Sequence, residues 1–97
     1  MKLLLCPKCS DVFSLSYEIK TCSCGHTIGR YIDDDYSREH GIAEYCGGFP
    51  IVFKNDSLLE AIRNQPETGK GVEFISFIAS DESILFRINE KLRKYKK

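Results

Sequence analysis

Four cysteines near the start of the chain form two close pairs, Cys6-Pro7-Lys8-Cys9 and Cys22-Ser23-Cys24-Gly25, with twelve residues between them. Two tight turns that each offer two thiolates are the arrangement of a structural tetrahedral zinc site. The spacing predicts that Cys6, Cys9, Cys22 and Cys24 hold one Zn²⁺. In the first pair the proline presets the turn. In the second, Gly25 stands where such a turn needs a positive φ. The Cys-x-Cys spacing of the second pair is one residue shorter than the common Cys-x-x-Cys. It leaves open a variant in which His26 replaces one thiolate. A disulfide pairing is the competing reading. Met1 to Leu5 is too short an apolar run for a secretory leader, so a reducing, cytoplasmic setting is expected, where paired cysteines favour metal.

The remaining reactive side chains form no set. Cys46 has no cysteine partner, and Tyr-Cys-Gly-Gly is no catalytic signature, so Cys46 is expected to be a small buried hydrophobe. Asp33-Asp34-Asp35 suggests a cation site, but neighbouring residues of an extended chain face opposite ways, and a solvated turn is the expectation. His40 belongs to no motif. Gly69-Lys70-Gly71 lacks the spacing of a phosphate loop. With no catalytic site legible, no enzyme activity is expected.

The elements that must position the cysteines follow from periodicity. Phe13, Leu15, Tyr17 and Ile19 alternate with polar residues, as a half-buried strand does. Thr27 to Ile32 can pair with it, and Lys2 to Leu5 can add a third strand, making a small ribbon with zinc at one end. Beyond it, Ala43 to Cys46 reads as a short strand, Gly47-Gly48 as a break and Pro50 to Phe53 as extended chain. Ser57 and Glu60 have capping-box spacing ahead of a helix ended by Pro66. Val72 to Ala79 reads as a buried strand, and Ser80 to Ser83 as a turn. Ile84 to Tyr95 fits strand or helix, with a strand through Ile88 and a helical or frayed tail preferred. The expected fold class is α+β, an N-terminal antiparallel zinc ribbon joined to a small antiparallel sheet with one helix. Residues 1–97 form one domain, with a ribbon subdomain over 1–35 and an α+β subdomain over 42–97.

Ninety-seven residues support only a modest core, so a metal would supply much of the stability. No stretch has the length of a membrane span. Acids and bases balance at 14 each. Four thiolates around one Zn²⁺ add two negative charges, which disfavours general polyanion binding. Five of the last seven residues, Lys91 to Lys97, are basic. They read either as a nucleic-acid contact or as a solvated helix end.

The segment Lys2 to Phe13, with Cys22-Ser23-Cys24-Gly25 and Gly29 to Asp33, resembles small bacterial and phage zinc-ribbon proteins of uncharacterised function. The likeness extends weakly into Ala43-Glu44-Tyr45 and the Asn55 to Ile62 helix. It implies a metal-bound ribbon and no particular chemistry. The expected function is a small protein–protein interaction module or regulator with structural zinc. Its candidate surface is the loop from Asp33 to Gly48 with Tyr36 and Tyr45. The alternative is a nucleic-acid-binding accessory protein using ribbon aromatics and the basic tail. A hydrolase using the acids from Asp33 to Glu44, or Cys46, has least support. The expected partner is protein, with weak or no nucleic-acid binding and no membrane.

Overall fold

The computed structural model describes residues 1–67, 69, 71–79 and 84–95. The expected turn over Ser80 to Ser83 and the end of the basic tail, Lys96 and Lys97, lie outside them. Eight short strands run in chain order: β1 (Lys2–Leu5), β2 (Val12–Ser14), β3 (Lys20–Thr21), β4 (Ile28–Tyr31), β5 (Ala43–Cys46), β6 (Phe49–Phe53), β7 (Ser76–Ile78) and β8 (Phe86–Ile88). Helix α1 (Asp35–His40) lies between β4 and β5, α2 (Asn55–Arg63) follows β6, and a 3-10 helix covers Glu90–Tyr95. The fold is α+β with two four-stranded sheets, in the orders β2-β1-β6-β7 and β3-β4-β5-β8. All pairings are antiparallel except β5 with β8, which is parallel.

The pairing around the cysteines differs from the expected ribbon. The alternating segment does not run as one strand from Phe13 to Ile19. Val12–Ser14 pairs with β1, and Lys20–Thr21 pairs with β4. Between them the chain bends, with the Ser16 hydroxyl accepting from the Glu18 amide. β1 leaves the ribbon to pair with β6, Leu3 opposite Ile51 and Leu4 opposite Pro50. β4 pairs with β5, Gly29 opposite Tyr45. Each sheet thus joins strands from both halves of the chain.

The core lies between the sheets. Leu4, Leu15, Ala43, Tyr45, Ala79 and Phe86 form its main cluster, with Phe13, Tyr31, Val52 and Leu85 packed against it. Alternation explains the placement: Leu4, opposite Phe13 and Pro50, points inward. A second cluster of Ile28, Cys46 and Leu92, flanked by Ile19, anchors the 3-10 helix. Tyr45 is therefore a core residue and not part of a recognition surface. Cys46 is buried, as its lone position suggested.

The acids and caps also differ in detail from their sequence reading. Asp33-Asp34-Asp35 opens a helix. The Asp34 carboxylate accepts from the Ser37 amide at 2.7 Å as the N-cap of α1. Asp33 pairs with Arg38, and Gly41 ends the helix in the left-handed region. Ser57 is not the cap of α2. That helix starts earlier, after Lys54, and the Ser57 hydroxyl donates to the Lys54 carbonyl while accepting from the Ile75 amide. The stretch read as a buried strand from Val72 shrinks to Ser76–Ile78, and all three of its residues are exposed.

Candidate metal centre

The site is built from two hairpin turns that belong to different sheets. Cys6 and Cys9 lie in the turn between β1 and β2. Cys22 and Cys24 lie in the turn between β3 and β4. The first turn is closed by the Cys6 amide donating to the Asp11 carbonyl and the Ser10 amide to the Cys6 carbonyl, both at 2.9 Å. Ser10 takes the left-handed position, with φ of 61°. The second is closed by the Gly25 amide donating to the Cys22 carbonyl at 3.1 Å, and Gly25 has the positive φ its place predicted.

These turns bring the four Sγ atoms within 4.8 Å of one another. Cys24 Sγ stands 3.6 Å from both Cys6 Sγ and Cys22 Sγ. Tetrahedral zinc with Zn–S bonds of about 2.3 Å sets its sulfurs about 3.8 Å apart, so the cluster has the size of such a shell. Cys6 and Cys22 are fully buried, Cys9 partly, and Cys24 is at the surface. All five cysteines are free thiols, so the disulfide reading is set aside. His26 is not brought into the group. Its ring nitrogen lies beside Gly47, and its carbonyl accepts a hydrogen bond from Arg93.

The surroundings favour thiolates unevenly. Burial pushes the Cys6 thiol up. The Thr27 hydroxyl and the backbone amides of Cys9 and Lys8 outweigh it and bring Cys6 down to about 5. The Thr27 side chain is fully buried, and its hydroxyl has no hydrogen-bond partner of normal geometry among the described residues. Cys22 also moves down: burial opposes this, and the Thr27 amide, 3.3 Å from its sulfur, drives it. At Cys24 the His26 amide favours the thiolate, but desolvation and the three neighbouring sulfurs push it up to about 11. A divalent cation relieves that crowding of negative charge, so the donor set fits a metal ion.

Two supports of the site were not legible from cysteine spacing. Asp11 Oδ2, in the first hairpin, accepts from the Ser23 amide at 3.0 Å and the Ser23 hydroxyl at 3.1 Å, in the second. The only signal was an acid two residues after Cys9. Gly47 and Gly48, the link from β5 to β6, pass directly beneath both turns. A Cβ on Gly48 would lie 2.6 Å from the Leu5 carbonyl oxygen and 2.7 Å from Thr27 Cγ2, and Gly48 has φ of +76°. The metal cluster, Thr27 and the crossover between sheets thus adjoin one another.

Cys46 takes no part in this cluster. Its thiol donates to the Glu90 carboxylate at 3.3 Å, and burial, then that carboxylate, push its pKa up. His40 is elsewhere, its Nδ1 donating to the Tyr36 carbonyl on α1 and its ring stacked on the Tyr36 ring.

The fold and site together define an α+β protein with a four-cysteine cluster that could hold a metal ion. No family model matches the chain, and no curated protein or solved structure is similar to it. Among the described residues no helix is long and apolar enough to cross a membrane.

Proposed function

We propose that this chain binds one structural zinc ion and acts as a small protein–protein interaction module or regulator, with no enzyme activity. The observation that carries the reading is the placement of the four sulfurs: two come from a hairpin of one sheet and two from a hairpin of the other. An ion held there ties the sheets together. Four thiolates also leave no ligand position open for water and donate enough charge to weaken the ion as a Lewis acid. Three of the acids that suggested hydrolysis have structural tasks, Asp34 as a helix cap, Asp33 as the partner of Arg38 and Glu44 as the partner of Arg30. Cys46 faces a carboxylate that disfavours its thiolate. Recognition then rests on surface side chains. Of the two tyrosines between Asp33 and Gly48, Tyr36 on α1 is the one at the surface, 59% exposed.

Elemental analysis of the purified, unchelated protein should find about one zinc per chain. Cys24→Ser should lose most of that zinc, and Cys46→Ser should keep it. Equal retention in both variants would show that the ligand set is wrong. Substrate turnover that tracks zinc occupancy in folded protein would overturn the non-enzyme reading.

A further inference from the structure

β7 is an edge strand with apolar side chains exposed on both faces. Phe74 is 36% exposed, Ile75 54%, Phe77 49% and Ile78 58%. The stretch from Phe74 to Ile78 contains no charge and no proline, the composition that folded proteins avoid on an open edge. The backbone shows what the edge offers. The Ile75 carbonyl accepts from Lys54 at 3.0 Å, and the Ala79 amide donates to Pro50 at 2.9 Å. Phe77 lies opposite Val52 between them. Ile75, Phe77 and Ala79 therefore turn their main-chain groups toward β6. Alternation turns those of Phe74, Ser76 and Ile78 outward, and nothing among the described residues pairs with them.

We propose that a second copy of this chain pairs antiparallel with this edge, through β7 of each protomer, about a two-fold axis at Ser76. The side-chain order selects this occupant and this register. Phe74-Ile75-Ser76-Phe77-Ile78 read against itself sets Phe74 opposite Ile78 of the partner subunit, Ile75 opposite Phe77 of the partner subunit, and Ser76 opposite Ser76 of the partner subunit. Every bulky pair is then aromatic against β-branched, a favoured cross-strand combination, and the axis carries two hydroxyls that can hydrogen-bond. Shifting each strand by one residue to centre on Ile75 sets Glu73 against Phe77, and centring on Phe77 sets Ser76 against Ile78. In the Ser76 register Glu73 faces Ala79, so no like charges meet. The outward amides and carbonyls of Phe74, Ser76 and Ile78 satisfy one another, as an isologous interface requires. The two four-stranded sheets become one of eight strands, in the order β2-β1-β6-β7-β7-β6-β1-β2. Four exposed bulky side chains per protomer leave roughly 300–400 Å² of apolar surface uncovered, divided between the two faces of the strand. The inference goes beyond the proposed function and uses a different surface from Tyr36.

Light scattering coupled to size exclusion, at micromolar concentration with zinc bound, tests it. The wild type should have twice the mass of one chain. Ser76→Pro removes an outward amide without touching the bonds to β6, and it should halve the mass while zinc content and the far-ultraviolet spectrum stay unchanged. If Ser76→Pro fails to fold, Ser76→Lys sets two like charges at the axis and should halve the mass in its place. Tyr36→Ala should remain dimeric, which separates this interface from the proposed recognition surface. A monomeric wild type would overturn the proposal. So would a dimer that persists with both the proline and the lysine in folded protein, or one that Tyr36→Ala dissociates.

Discussion

Asp11 holds the Cys22–Cys24 turn from the other hairpin, because one carboxylate oxygen accepts from both the amide and the hydroxyl of Ser23. A partner one bond beyond the metal ligands fixes their geometry. Asp11→Ala should therefore weaken zinc affinity about 10-fold or more, read by competition with a chromogenic chelator, while the apo-protein's far-ultraviolet spectrum stays unchanged. Unaltered affinity would mean that the cysteine turns hold themselves. Gly48 acts at the same place through the backbone. Its φ of +76° and the 2.6 Å approach to the Leu5 carbonyl leave no room for a Cβ. Gly48→Ala should cost on the order of 1–3 kcal/mol in denaturant unfolding. A variant as stable as the wild type would contradict that packing. The clustering of the four cysteines was legible because their pairwise spacing is local. Asp11 and Gly48 were not, because each works on a segment distant in sequence.

Among the elements, the 3-10 helix shows how local reading falls short. Five basic residues at the end of the chain look like a solvated tail, yet Leu92 is 1% exposed between Ile28 and Cys46, and Arg93 donates to the His26 carbonyl. Truncating the last seven residues would remove a core side chain along with the charge. Nucleic-acid binding is better tested by Lys91→Glu with Lys94→Glu, both exposed. Weak binding at best is expected for the wild type, abolished in the double variant and with a shallow salt dependence. Tight binding that survives the double charge reversal would promote the nucleic-acid reading. The strands at Ala43–Cys46 and Phe49–Phe53 were legible from hydrophobic runs around Gly47-Gly48. α1 was not, because six polar and aromatic residues carry no helical stripe and only the Asp34 cap marks its start. The segment ending in β7 reads as buried because it is apolar, and the structure exposes it instead. Hydrophobicity reports that a strand needs covering, not which chain covers it.

At the scale of the molecule, the α+β class follows from the mix of period-two segments with one amphipathic helix, and the structure has that class. The strand pairing does not follow. β1 with β6 and β4 with β5 are contacts between the two halves of the chain, and no local pattern encodes them. Their result is that the cysteine turns, which look like the tip of one self-contained ribbon, cap two sheets at once. Small chains bury too little surface to be robust without such a staple. Structural zinc contributes on the order of 10 kcal/mol or more in apparent binding free energy. The most direct measurement is amide hydrogen exchange before and after zinc is removed by a chelator. The account predicts that protection is lost together in β1 and β6 of one sheet and in β4 and β5 of the other, and returns on adding zinc. Loss confined to the turns from Cys6 to Asp11 and Cys22 to Thr27, with both sheets still protected, would contradict the claim that the ion joins them.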